Sequence, residues 1–382
     1  MAKTVLVIGG SGAFGGRLAD GLIATSDFGV IIAGRDFARA RTKAAALGGR
    51  ATALQLDITT VVPAMLATTG AFVVVDAAGP FQHAEYRLAR AAIAAGMHYV
   101  DLADARDFVA GFGALDAAAR TAGVVALTGA SSTPALSHAV LDRLTQGWRR
   151  IDTIEIAISP GNRNSPRGLS VIRAILSYAG KPVRVFAGGE WTMLQGWGRP
   201  ASRDMPGLGK RWLSLCETPD LDLAPARFSP QRGAIFRAGL ELSVMHFGLY
   251  AATFLVRAKM LPSLALFARL FRWTAVRLKN FGNDRGGMLV EVAGFDAAGK
   301  PARATWSLVA EAGDGPYVPT LPALAVVRAL ADGRLSKAGA RPCVGVLDLD
   351  QIDREFAPYQ ISTHLSTSAA DETVAVPAIA GH

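Results

Sequence analysis

Val5-Leu6-Val7-Ile8-Gly9-Gly10-Ser11-Gly12-Ala13-Phe14-Gly15-Gly16 is the stretch that decides how the first third of this chain folds. Four apolar residues suited to a strand run straight into glycines, and a helical pattern over 14–26 follows. Glycine lets the chain turn sharply and lets backbone N–H groups approach a pyrophosphate, which then lies at the positive end of the helix. Gly15 or Gly16 allows that helix to pack closely on the strand. An ordinary tight turn would also use glycines, but the position between a strand and a helix favours a dinucleotide site. Its candidate contacts are Gly9, Gly10, Gly12, Ala13, Phe14 and Gly15.

Working outward, Val30–Ala33, Ala53–Leu56, Phe72–Asp76, His98–Leu102 and Val124–Leu127 read as further strands, with helical patterns at 36–48, 83–96 and 107–122. Such alternation predicts a doubly wound parallel sheet covered by helices, because parallel neighbours need a crossover between them. The nearly continuous apolar strands fit burial on both faces. The second strand ends in Ala33-Gly34-Arg35-Asp36. A site for NAD would carry an acid at this tip to bind both ribose hydroxyls. Here Gly34 occupies the tip and Arg35 follows, which suits the 2′-phosphate of NADP, with Arg39 one helical turn on. This favours NADP over NAD. Asp36 also fits a helix cap, and Asp57, after the third strand, fits either an adenine contact or a cap.

The chain has 382 residues, 51% of them hydrophobic and 19% charged, so a disordered polymer is excluded and two domains are expected. Two cysteines, Cys216 and Cys343, cannot make a disulfide framework or a zinc cluster, and no metal-ligand spacing occurs. The short N-terminal apolar run reads as a first strand in a cytoplasmic protein rather than a signal peptide. After about Ser131 the pattern changes to α+β: strands at Ile151–Ser159 and Lys181–Phe186, a helix at Gly168–Ala179, a Gly/Pro-rich stretch from Gly188 to Pro230, and a hairpin of Met288–Phe295 and Ala302–Glu311 around a five-residue loop.

The net charge is +9, and residues 242–283 hold six cations and no acid. Within the basic amphipathic segment 244–281, Leu264, Phe267, Leu270, Phe271, Leu278 and Phe281 are expected on one helical face. Arg269, Arg272, Arg277 and Lys279 fall on the other, with Trp273 towards the basic side. That stripe fits peripheral contact with the inner membrane surface or a lipid-like substrate. It also fits packing on the second domain or a homodimer partner, as soluble helices show the same stripe. No helix-turn-helix or RNP signature accompanies the charge, so nucleic acid is not an expected partner.

Asp76-Ala77-Ala78-Gly79-Pro80-Phe81, followed by Ala95-Gly96-Met97-His98-Tyr99-Val100-Asp101-Leu102, resembles the nucleotide-binding domain of the saccharopine dehydrogenase-like oxidoreductases. The resemblance continues at Gly129–Ser137 and recurs in Gly313–Ala323 and Gly339–Leu349, with little to match over 159–285. It implies an NAD(P)-linked Rossmann domain at 1–130 and a second α+β domain at 131–312 for substrate or dimerisation. It further implies a return to the first domain over 313–362; the Ser/Thr/Ala-rich composition of 363–382 reads as a frayed tail. It also implies that Gly79 and Pro80 lie beside the nicotinamide ribose, with Ala78 a further cofactor-binding candidate. The family often has a glutamate just after its Y-V-D-L strand, where this chain has Ala103-Asp104. Enzymes making saccharopine-like products carry an acid and a glycine where this chain has Ser132-Thr133-Pro134-Ala135, which argues against saccharopine itself.

Hydride transfer needs a cofactor, a proton route and a positioned small-molecule substrate. None of the six tyrosines has a lysine four residues later, which removes the short-chain dehydrogenase mechanism. Asp101 and Asp104, at the carboxyl end of a parallel strand, are the candidates for proton transfer or for holding a substrate amine. Alternatively, Asp101 orients a loop and Asp104 is solvated. Ser131, Ser132 and Thr133 fit a substrate carboxylate, the nicotinamide amide or an ordinary helix start at Pro134. His98 reads as a core histidine and His83 as an outside candidate for catalysis. The expected function is NADP-dependent hydride transfer at a C–N or C–O bond. The alternative is a non-catalytic NADP-binding redox sensor or a membrane-associated scaffold.

Overall fold

The first strand, Val5-Leu6-Val7-Ile8, loses essentially all contact with water on both faces. At roughly 1.5–3 kcal/mol per large apolar side chain, such burial drives a central rather than an edge strand. In the computed structural model, which describes residues 3–369 other than 164, 166 and 167, it is an interior strand, third from one edge, of a seven-stranded sheet. The strands are β1 (Thr4–Ile8), β2 (Gly29–Gly34), β3 (Ala51–Gln55), β4 (Val73–Asp76), β5 (His98–Asp101), β6 (Val125–Thr128) and, far along the chain, Gly339–Pro342. Their order is β3-β2-β1-β4-β5-β6 and then Gly339–Pro342, and every pairing is parallel. The order reverses between β1 and β4, and ligands of open α/β sheets bind beside such a switch point at the carboxyl ends of the strands.

The expected helices form at Gly15–Thr25, Phe37–Leu47 and Arg87–Ala94. The 107–122 pattern is instead two short helices, Arg106–Gly111 and Asp116–Thr121, joined by a tighter turn at Phe112–Leu115. The compact unit built on this sheet comprises Met1–Leu136 and Pro316–Glu355. Its late segment contributes the helix Leu321–Ala331, buried along nearly its whole length. Apart from Arg328, which bonds the Thr25 carbonyl and pairs with Glu355, the helix is apolar because protein surrounds it.

The second unit, Ser137–Gly315 with Phe356–His382, is built on a nine-stranded mixed sheet. Its strands are β7 (Arg150–Ser159), β8 (Pro182–Ala187), β9 (Glu190–Gln195), β10 (Ala201–Met205), β11 (Gly209–Leu215), β12 (Gly233–Ala238), β13 (Gly286–Phe295) and β14 (Pro301–Ala310). Numbering Gly339–Pro342 as β15, the last strand is β16 (Ile361–Ala369). The path runs β10-β11-β12-β7-β13-β14-β16, with β8 and β9 attached beside β12. β13 and β14 form the expected hairpin around residues 296–300.

Two expectations about the C-terminal part change. Residues 361–369 are not frayed: all nine pair antiparallel with β14, a backbone ladder that needs no apolar side chains. They belong to the second unit, so the return to the first ends near Glu355 rather than at 362. Residues 370–382, the rest of the expected tail, lie outside the described residues. In the second unit Glu155 on β7 holds two arginines. Arg203 meets it in a two-bond fork at 3.0 and 3.0 Å, and Arg237 lies 3.2 Å away.

Candidate functional site

The glycine turn is shaped by contacts that a side chain would break. Gly9 sits at φ +71°, and a Cβ there would meet the backbone of Ala77 and Ala78 at 3.0 Å. The turn and the Ala77-Ala78-Gly79-Pro80 segment therefore run against each other, which brings two separately expected cofactor segments into one place. The amide of Gly12 donates to the Gly9 carbonyl at 2.8 Å. A Cβ on Gly15 would lie 2.3 Å from that same carbonyl oxygen, whereas one on Gly16 would have 3.5 Å of room. Gly15 is thus the close-packing glycine. Gly12 and Ala13 are exposed at the mouth of the turn, and Phe14 directly precedes the helix.

Gly34 at the end of β2 has open space around it and Arg35 is exposed beside it. Arg39 reaches back from the following helix, its Nη2 donating to the Ser11 carbonyl in the glycine turn at 3.3 Å. Asp36 is occupied as the cap of that helix, its Oδ1 accepting from the Arg39 amide at 3.1 Å. Asp57 accepts from the amide and hydroxyl of Thr59 at 2.9 and 2.8 Å, holding the turn after β3. These bonds keep its carboxyl below the usual range. A glycine cradle with two guanidinium groups and no free acid at the strand tip fits a dinucleotide carrying a 2′-phosphate.

Asp101 takes the second of the two places the sequence left open, orienting loops. Its carboxyl has no exposed surface, and Oδ1 accepts from the Ala103 amide at 3.0 Å, the Gly129 amide at 2.8 Å and the Thr128 hydroxyl at 2.9 Å. Its Oδ2 has no hydrogen-bond partner among the described residues. Asp101 therefore pins the turns after β5 and β6 through Oδ1. Desolvation pushes its carboxyl up to about 7 despite these bonds. Its register partner across the strands is Asp76, also buried, whose Oδ1 accepts from the Ala78 amide at 2.9 Å and so bends the Ala77–Pro80 segment. Burial raises Asp76 to about 6, and the Tyr99 hydroxyl donates to its Oδ2 at 3.4 Å. The sequence reading missed the Asp76–Tyr99 pair. The signal lay in the aspartate two residues before Ala78, the spacing of a side chain that turns its own backbone.

Asp104 is exposed, with Gln82 Nε2 donating to it at 3.4 Å, so it remains available to solvent beside the Gly79–Phe81 turn. Ser131, Ser132 and Thr133 are all buried. The Ser131 hydroxyl donates to the Pro319 carbonyl at 3.0 Å, and Thr133 is extended, with regular helix starting only at Ser137. His98 accepts the Val125 amide at its Nδ1, 3.0 Å, joining strands as a core histidine. His83 is exposed on a cleft of about 820 Å³ whose walls include Phe81, Tyr86, Arg90 and Asp107. Among the described residues no group of His, Cys, Asp or Glu could hold a metal ion.

A comparison with curated protein sequences finds no match. Among solved structures, apo saccharopine dehydrogenase (L-Glu forming) from Saccharomyces cerevisiae is similar over 96% of this chain and 100% of its own, with TM-score 0.69 and 15% identity. That likeness establishes a shared fold. A probable dehydrogenase from Thermotoga maritima covers 92% of this chain and 93% of its own (TM-score 0.47, 12% identity). A dehydrogenase from Chromobacterium violaceum covers 94% and 93% (TM-score 0.42, 13% identity). The family model of the saccharopine dehydrogenase NADP binding domain matches residues 5–127, from the second residue of the buried β1 to the third of β6. Over that span, which contains the glycine turn, the arginine pair and the Ala78–Pro80 segment, the chain is similar to the saccharopine dehydrogenase NADP binding domain.

Proposed function

We propose that this protein is an NADP-dependent oxidoreductase acting at a C–N or C–O bond of a small molecule. The observation that carries the reading is Arg39 reaching the glycine turn at Ser11, with Arg35 exposed beside it and Asp36 occupied as a cap. When bound, NADP supplies the hydride or accepts it. The chain's part is to seat the pyrophosphate on the Gly9–Gly15 turn, to neutralise the 2′-phosphate with Arg35 and Arg39, and to fix the nicotinamide end with Ala78, Gly79 and Pro80. Asp104 is the carboxylate placed to hold a substrate amine or pass a proton, because Asp101 is committed inside the fold. Ser131 positions its turn through Pro319 rather than binding substrate.

The test is cofactor titration with NADPH and NADH on the unmodified protein and on Arg35→Ala. A charge-assisted contact to phosphate contributes very roughly 1.5–3 kcal/mol. NADPH should therefore bind more tightly, and Arg35→Ala should reduce the preference by about tenfold or more. Equal affinities in the unmodified protein overturn the assignment. A screen of amino and hydroxy acids for NADPH-linked turnover then separates an enzyme from an NADP-binding sensor.

A further inference from the structure

The helix Ser243–Arg257 is built inside out. Its buried side carries His246, Leu249 and Thr253, while Val244, Phe247, Ala251 and Phe254 form an apolar stripe facing solvent. The polar side chains are satisfied within the protein. His246 Nδ1 accepts from the Leu240 amide at 3.4 Å, leaving Nε2 to bond the Ser214 hydroxyl at 3.0 Å, and the Thr253 hydroxyl donates to the Tyr250 carbonyl at 2.6 Å. A helix packed only for solubility places its residues the other way round.

The next helical stretch repeats the arrangement and corrects the faces expected from periodicity. A tight turn at Leu264–Phe267 leads into the helix Ala268–Arg277. Leu264 and Ala268 are buried with Leu249 in one apolar cluster, and Phe271 packs against it. Leu266, Leu270 and Trp273, each more than half exposed, point away from that cluster, as do Met260 before them and Phe281 after. The cations are interleaved with these apolar groups rather than confined to an opposite face. Arg269, Arg272 and Arg277 are exposed, and Arg277 stacks over Trp273 at 5.1 Å. None of the six cations of this segment forms an ion pair among the described residues, and the segment contains no acid of its own.

We propose that residues 243–281 are a docking surface for an anionic phospholipid bilayer. Exposed aliphatic and aromatic groups enter the headgroup boundary while the surrounding cations meet lipid phosphates. Charge selects this occupant over a second copy of the chain. A twofold contact would set the same cations against each other with no carboxylate in the segment to offset them. No helix among the described residues is long and apolar enough to cross a membrane, so the contact lies on the surface.

The test is co-sedimentation of the full chain with phosphatidylcholine vesicles, with and without phosphatidylglycerol, at low and high salt. The protein should pellet with the anionic vesicles at low salt and be released by high salt. Arg269→Gln with Arg272→Gln should lower the partition coefficient at least about tenfold. Leu270→Ser with Trp273→Ser should lower it similarly. All four side chains are exposed, and circular dichroism checks that each variant folds. Should one not fold, the lipid and salt dependence of the unmodified chain still decides. Three results overturn the proposal: protein left in the supernatant with both vesicles, equal pelleting with both at any salt, or a lipid-free dimer abolished by Leu270→Ser with Trp273→Ser. Cofactor binding plays no part in the readout, so failure here leaves the oxidoreductase reading intact.

Discussion

Replacing Asp101 by Asn should make the protein more stable at neutral and alkaline pH. The perturbation is nearly isosteric, and the amide oxygen can still accept from Ala103, Thr128 and Gly129, as Asp101 Oδ1 does now. It removes a charge that the fold desolvates. The carboxyl is raised from 3.8 to about 7, so it binds its proton more tightly folded than unfolded. Stability associated with it is full below pH about 4 and is lost as pH rises towards 7 and beyond. The shift corresponds to roughly 4 kcal/mol in total, of which about 2–3 kcal/mol falls between pH 5 and pH 8. Asn forgoes the charge assistance of three hydrogen bonds, which returns on the order of 1–2 kcal/mol, leaving a net gain of about 2 kcal/mol at pH 8. Urea unfolding of both proteins across pH 5–8 should show curves that diverge as pH rises, with the unmodified protein falling relative to the variant. Parallel curves would refute the reasoning. So would a variant of undiminished stability that no longer turns over substrate, since that returns Asp101 to the chemistry.

Gly12→Val should weaken NADPH binding by about tenfold or more at little cost in stability, because its Cβ meets only the Gly9 carbonyl, at 3.0 Å. Gly15→Ala should do the reverse, lowering stability by about 1–3 kcal/mol in a melt, since its Cβ lands 2.3 Å from that carbonyl. Asp104→Asn should leave both stability and NADPH affinity unchanged while reducing turnover; unchanged kcat and KM remove it from the site. Glu155→Ala strands Arg203 and Arg237 and should cost about 3–5 kcal/mol in urea unfolding.

The parallel sheet was legible because strands buried on both faces, such as Val73-Val74-Val75, are written as unbroken apolar runs between glycines and helical stretches. The region 188–215 was not, because β9, β10 and β11 are half-exposed strands that mix Trp191, Met193 and Trp212 with charges and lack a clean alternation. β16 was illegible for a related reason: Ser362, Thr363 and Ser366 are held by main-chain pairing with β14, which leaves no side-chain signature. The meeting of the glycine turn with the Ala77–Pro80 segment was readable because glycine reports on backbone space. The side-chain placement of Asp101 and Ser131 was not, because a polar residue at a strand's carboxyl end reads the same whether its side chain turns towards a ligand or into the protein.

The parallel sheet also carries a constraint on how the molecule is made. Its seventh strand meets partners synthesised far earlier: the Ala340 amide donates to Asp116 across 224 residues of sequence, and Ser131 waits 188 residues for the Pro319 carbonyl. On a ribosome, β1 to β6 emerge with the β6 edge still open, and the whole insert must appear before β15 can cap it. Contacts closing so long a span are slow to form. The nucleotide-binding unit is thus the first to begin folding and among the last parts to be completed. A chain truncated before Pro316 would keep every glycine of the cofactor turn yet expose a strand edge suited to self-association.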